Sequence, residues 1–101
     1  MEKYEIYIGL KDKDSYLEEF NLDDIAKMLV SCCSKEKIAF SATQQLGGYE
    51  HNKGYTTETS VKITLIGADR CLAEKLGLKL KEIIGTDTIM ITKEECECVM
   101  L

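Results

Sequence analysis

The order in which hydrophobic periodicity changes along the chain constrains its fold more than any other feature. Apolar and polar residues alternate over Tyr4–Leu10, the pattern of a half-buried β-strand. Apolar residues then recur at helical spacing over 22–33, directly after Asn21, a residue type that caps helix N-termini. The later segments repeat the two periods: alternation over 37–46 and 61–65, a helical stripe over 72–84, and alternation over 86–92. The sequence therefore predicts the element order β-α-β-β-α-β.

Two helices that each lie between strands cover one face of a single sheet. We therefore expect an α+β, ferredoxin-like fold, with a four-stranded antiparallel sheet and two helices on one face. Right-handed crossovers would place the first and third strands side by side in the centre and parallel to each other. We expect one domain over residues 1–92 and a C-terminal tail over 93–101, which has no clear periodicity. Gly77 interrupts the second helical stripe, and marks either a close contact between helix and sheet or a weak point of the helix.

The sheet face that the helices leave open is poor in charge. Its residues would be Lys3, Glu5, Tyr7, Ser41, Thr43, Gln45, Lys62, Thr64, Ile66, Thr88 and Met90. A band of serine, threonine and glutamine with a few larger side chains suits packing against another subunit. We therefore expect a homo-oligomer, a dimer or a trimer. The alternative is a mildly polar face that is exposed to water.

The charge of the chain narrows the range of partners. The net charge is −5 and Arg70 is the only arginine, whereas nucleic-acid binding depends on lysine and arginine neutralising phosphates. Neither nucleic acid nor an anionic membrane surface is therefore an expected partner, and no cofactor is predicted. The chain has no apparent signal segment and no apolar run near the ~20 residues of a membrane helix, so we expect a cytoplasmic protein.

The chain has five cysteines, an odd number: Cys32, Cys33, Cys71, Cys96 and Cys98. In a cytoplasmic chain these are expected to be free thiols, with Cys32 and Cys71 buried on the apolar helix stripes. Cys96 and Cys98 together with Cys32-Cys33 supply four sulfurs, but zinc motifs separate paired cysteines by two to four residues. No metal site is predicted. The sequence Cys98-Val99-Met100-Leu101 matches a C-a-a-X pattern, although its acidic flank disfavours lipidation.

Turn-forming residues are concentrated in the segment 47–55, which is predicted to be a long hairpin loop with a projecting tip. Loops of this length are more often functional than short ones. The residues expected to bind a ligand or partner are Tyr49, Glu50, His51, Lys53, Tyr55 and Glu58. His51 is the only histidine, but a projecting loop gives it no pocket within one subunit. No catalytic residue is predicted, because no nucleophile is paired with a base.

The hairpin carries a resemblance to a known family. A strand that leads into Gly48-Tyr49, then Gly54, then Glu58 before Val61-Lys62-Ile63, resembles the PII-like signalling proteins. The opening Tyr7-Ile8-Gly9-Leu10 is also similar to small uncharacterised bacterial and phage domains. The PII-like resemblance implies a ferredoxin-like trimer with a projecting loop. It does not extend to nucleotide binding, because Thr88 and Met90 stand where those proteins carry basic residues.

These observations favour a non-catalytic, oligomeric binding or regulatory protein that acts through the hairpin loop. One hypothesis is a phage-encoded protein that captures a host protein or signalling molecule. A second is a PII-like sensor of a small ligand with its site between subunits. A third is an oligomeric enzyme that uses His51.

Overall fold

The structure is a computed structural model that describes residues 1–51 and 54–101, without the side chain of His51. Its elements follow the predicted order: β1 (Glu2–Gly9), α1 (Leu22–Glu36), β2 (Phe40–His51), β3 (Gly54–Ile66), α2 (Arg70–Ile84) and β4 (Ile89–Glu95). The four strands form one antiparallel sheet, which confirms the ferredoxin-like fold. Among the described residues, no helix combines the length and apolar character needed to cross a lipid bilayer.

The strand order is β2-β3-β1-β4, so the first and third strands are central neighbours, as predicted. The expectation that they run parallel is wrong, because β1 and β3 pair antiparallel. The crossover through α1 returns the chain parallel to β1 in β2. The hairpin then reverses the chain once more, so β3 runs against β1.

Local sequence signals start both helices and stop the second. Asn21 accepts a hydrogen bond from the Asp24 N–H and the Asp24 carboxylate accepts one from the Asn21 N–H, which is a complete capping box. Asp69 caps α2 by accepting from the Leu72 N–H at 2.8 Å. Gly85 ends α2 in the left-handed region, at φ 79°, where glycine is favoured.

One core lies between the helices and the sheet. It is formed mainly by buried aliphatic side chains of β1, β3 and both helices: Ile6, Ile8, Ile25, Leu29, Ile63, Leu65 and Leu80. Of the two alternatives for Gly77 the structure shows the close contact, since a Cβ there would lie 2.6 Å from the Ile89 Cδ1 atom. Cys71 is exposed, contrary to expectation, because it lies about 200° around the helix from the buried Ala73.

The segment predicted as a long loop mostly continues the hairpin strands. β2 and β3 pair out to His51 opposite Gly54, whereas β1 accompanies β3 only to Ser60. Residues 46–51 and 54–59 therefore form a two-stranded arm that extends past the sheet. Thr56, Thr57 and Thr59 favour extended backbone, which outweighs the turn preference of the paired glycines. β4 likewise continues to Glu95, three residues past the expected end of the domain.

Candidate functional site

A cleft of about 620 Å³ opens where the arm leaves the sheet. Four segments line it: the end of β1 (7–9), the following loop (11–16), the arm with neighbouring β2 and β3 residues, and the turn before β4 (86–90). Its volume falls within the ~300–1,000 Å³ of ordinary small-molecule sites. The cleft is the candidate functional site.

Strand register brings a carboxylate to the centre of this cleft. Successive side chains of a strand alternate between faces, and the pairing places Tyr7, Gly9, Tyr49 and Glu58 on the open face. Gly9 has no side chain, and a Cβ there would overlap the carboxyl group of Glu58. The Lys11 N–H donates a hydrogen bond to the Glu58 Oε2 atom at 3.2 Å. The Glu58 carboxylate is therefore held directly over the end of β1.

The loop between β1 and α1 forms a wall of the cleft. Glu18 accepts hydrogen bonds from the Thr59 N–H at 3.0 Å and the Thr59 hydroxyl at 3.2 Å. Lys11 donates from Nζ to the Thr57 carbonyl at 3.0 Å, and Lys11 and Glu18 form an antiparallel bridge. These contacts fasten the segment to the arm.

Asp12 organises the tip of the same loop. Its Oδ2 atom accepts from the Ser15 and Asp14 N–H groups, both at 2.9 Å, and these bonds hold the pKa of Asp12 below its usual range. The neighbouring Lys13 N–H donates to the Gly85 carbonyl at 2.8 Å. The tip is thus joined to the end of α2, and the Asp12 carboxylate stays ionised in the cleft wall.

Two tyrosines of the open face line the cleft. Partial burial raises the pKa of Tyr49, and the negative charges of Glu58 and Asp87 raise it further. The Tyr7 hydroxyl donates to the Glu5 carboxylate, and this hydrogen bond raises the pKa of Tyr7. Both phenols are therefore neutral at physiological pH. Their rings offer flat apolar surface beside the Glu58 carboxylate.

The cleft favours a ligand with positive charge. The acidic lining residues are Asp12, Glu50, Glu58 and Asp87, and the basic ones are Lys11 and Lys13. Glu50 pairs with Tyr55, so its side chain lies on the other face of the arm. The remaining three carboxylates against two ammonium groups give a formal charge of −1. Within the residues that the structure describes, no three His, Cys, Asp or Glu side chains gather in a metal-binding group.

The cleft contains three of the six predicted site residues: Tyr49, Glu50 and Glu58. Tyr55 lies on the opposite face of the arm, where its ring covers Gly48 and is largely exposed. His51 pairs with Gly54 in the arm, but its side chain and Lys53 lie outside the described residues.

Sequence reasoning missed Gly9 and Asp87 as parts of the site. A glycine that ends an alternating strand was the available signal for Gly9, because such a glycine often marks a close approach. Asp87 gave no comparable signal.

Comparison with known proteins establishes the fold. No protein-family model matches the chain, and no curated protein matches it. A phage SAM lyase in the apo state has a TM-score of 0.76 at 22% identity, over 92% of this chain and 78% of that one. A phage SAM lyase in complex with S-methyl-5'-thioadenosine has a TM-score of 0.68 at 19% identity, over 93% and 80% of the two chains. CutA1 from Pyrococcus horikoshii reaches 0.56 at 17% identity, over 96% and 86%. These similarities show that the chain shares the ferredoxin-like fold of these proteins.

Proposed function

We propose that the protein binds S-adenosylmethionine in the acidic cleft and cleaves it, as a lyase, to release S-methyl-5'-thioadenosine. The observation that carries this proposal is the Glu58 carboxylate, which the Lys11 N–H holds over Gly9 between tyrosine-lined walls. The substrate class is supported by the structural similarity to phage SAM lyase, both in its apo state and in its complex with S-methyl-5'-thioadenosine.

The charge of the cleft matches this substrate. S-adenosylmethionine carries a sulfonium, an ammonium and a carboxylate, so its net charge is positive. A formal charge of −1 in the cleft attracts such a ligand. An opposite pair 4 Å apart near a protein surface gains about 4 kcal/mol before desolvation is counted. Apolar surface for the adenosine group comes from the rings of Tyr7 and Tyr49 and from the side chain of Met90.

The reaction restricts what Glu58 can do. A lyase breaks the bond between the sulfur and the four-carbon chain, and the sulfur keeps the electron pair to become a neutral thioether. A carboxylate beside the sulfonium would therefore stabilise the substrate more than the transition state. The ammonium keeps its charge throughout the reaction. We therefore assign Glu58 to the end of the substrate that carries the amino group.

Two reactions are then possible in which atoms and charges balance. The substrate carboxylate can displace the sulfur at the γ-carbon, which gives a lactone of the four-carbon fragment. In this case Glu58 orients the ammonium. Alternatively, Glu58 accepts a β-proton as a general base, which gives an unsaturated amino acid. The identity of the second product distinguishes the two roles.

The direct test is incubation of the purified full chain with S-adenosylmethionine, with detection of S-methyl-5'-thioadenosine by chromatography and mass spectrometry. We expect release, and a loss of about 10²-fold or more in kcat/KM for Glu58→Gln. Glu19→Gln is the matched control, because Glu19 is an exposed acid of the neighbouring loop outside the cleft lining. Binding without release would favour the non-catalytic binding protein predicted from the sequence. The absence of both binding and release would overturn the proposal.

We also infer that the open sheet face packs against another copy of the chain. Ile66 and Met90 of this face are 41% and 55% exposed. The edge strand β2 places Ser41, Thr43 and Gln45 on the same face. A second copy over this face would partly close the cleft, because Tyr7 and Met90 belong to both. This arrangement agrees with the expectation of a site between subunits. The exclusion of nucleic acid, the cytoplasmic location and a phage origin stay predictions.

A further inference from the structure

Three sulfur-bearing side chains follow β4 at alternate positions: Cys96, Cys98 and Met100. Cys96 is half-buried, whereas Cys98 is exposed and Met100 is 90% exposed. A methionine so exposed gains nothing from the apolar core. The Cys98 Sγ and Met100 Sδ atoms nevertheless lie 4.0 Å apart. Two soft donors therefore already face each other on the surface. They follow the end of β4, whereas the cleft is lined by residues at its start, Ile89 and Met90.

The first of the three residues is fixed to the folded domain. The Cys96 N–H donates a hydrogen bond to the Met1 carbonyl at 2.8 Å, which extends the pairing of β1 with β4 by one step. Lys93 also pairs with Glu2 at 3.0 Å on the same two strands. The start of the tail is thereby ordered. A ligand that gathers the three sulfurs has to restrain only the few residues after Cys96.

We propose that Cys96, Cys98 and Met100 form a binding site for Cu(I). Thiolate and thioether sulfurs are the soft ligands that select this ion. Metal–sulfur bonds of about 2.3 Å in a trigonal arrangement place the sulfurs ~4.0 Å apart. The Cys98–Met100 sulfur separation already has this value. Glu97, which lies between the two cysteines, adds attraction for a cation.

The same donor set does not suit zinc. Structural zinc sites take four ligands from cysteine, histidine and carboxylates, and a methionine thioether is not among them. The spacing argument against zinc in the sequence is therefore unaffected. Binding of Cu(I) replaces the two thiol protons, so the apparent affinity should rise with pH.

The test is an anaerobic titration of the reduced full chain with Cu(I) in competition with a chromophoric Cu(I) chelator. We expect one equivalent to bind, with a loss of at least 100-fold in affinity for Cys96→Ser or Cys98→Ser. Met100→Leu should weaken binding about 10-fold, because it removes the third sulfur without changing the bulk of the side chain greatly. Cys71→Ser is the matched control, since Cys71 is an exposed thiol on α2 outside the set. We expect it to leave the affinity unchanged.

Three results would overturn the proposal. One is equal loss of affinity in Cys71→Ser and Cys98→Ser, which would indicate general thiol binding. Another is unchanged affinity in Met100→Leu. The third is tighter binding of Zn²⁺ than of Cu(I) in the same competition format. Circular dichroism of each variant guards against misfolding, and no outcome depends on cleavage of S-adenosylmethionine.

Discussion

Gly9 leaves the space that the Glu58 carboxyl group occupies, and this relation determines the shape of the cleft. Any larger residue at position 9 must displace the carboxylate or the arm that carries it. The glycine is therefore a steric part of the site, although it has no chemistry of its own.

We expect Gly9→Ala to lower S-methyl-5'-thioadenosine release by more than 10-fold, because its Cβ would overlap the Glu58 carboxyl group. Overpacking of this kind costs about 1–3 kcal/mol of stability, so the variant should still fold. Urea unfolding and the release assay measure the two effects separately. A variant that folds and retains full activity would show that the position of Glu58 is not critical.

The raised pKa of Tyr49 gives a stability effect at high pH. Since partial burial raises the pKa in the folded state, the neutral phenol is favoured by folding. The corresponding stability is present below the unfolded pKa, about 10, and is lost as pH rises through the folded value. Tyr49→Phe cannot ionise, so we expect it to lose less stability than the parent chain between pH 8 and pH 11. Urea unfolding at the two pH values measures this difference, and equal losses would contradict the prediction.

At the scale of elements, the loop between β1 and α1 is bound to the arm through Glu18 and Lys11. Glu18 contacts Thr59 across 41 positions of sequence. Because the Lys11 N–H also bonds to Glu58, the loop helps to fix the carboxylate. The loop therefore couples the arm to the rest of the domain.

We expect Glu18→Ala to lower the free energy of unfolding by about 1 kcal/mol, since it removes two hydrogen bonds to Thr59. Glu19→Ala, the neighbouring exposed acid, should change it by less than ~0.5 kcal/mol. Urea unfolding of both variants at pH 7 is the measurement. Indistinguishable variants would mean that the loop contributes nothing to the stability of the arm.

Periodicity was enough to predict the element order, and the residue type of Asn21 indicated the start of α1. The close contact at Gly77 was one of two alternatives. Periodicity did not predict the extended arm, because paired glycines do not distinguish a loop from an extended strand. Periodicity also could not predict the contact between Glu18 and Thr59, because a single charged residue does not indicate which distant residue it will bind.

The sequence indicated only the part of the candidate site that lies on the hairpin. Tyr49, Glu50 and Glu58 belong to one hairpin, which the sequence identified as a unit. The other walls come from the end of β1 and from the turn before β4, which only the fold brings together.

At the scale of the whole molecule, the open sheet face is the proposed contact between copies of the chain. We expect light scattering at micromolar concentration to give a mass of at least two chains of 11.4 kDa. Met90→Glu places a charge on this face and should shift the mass toward one chain. Val30→Glu is the matched control on the exposed side of α1 and should leave the mass unchanged. A single-chain mass for the parent protein would refute the expected oligomer.

The strand order also places β2 at one edge of the sheet, and this position affects aggregation of the protein at high concentration. β2 is twelve residues long, and the chain contains no proline that could interrupt its hydrogen-bonding edge. An edge of this kind is a template onto which another extended chain can add. Solubility at high expression should therefore depend on whether this edge is covered, and a single proline on the outer side of β2 should reduce aggregation.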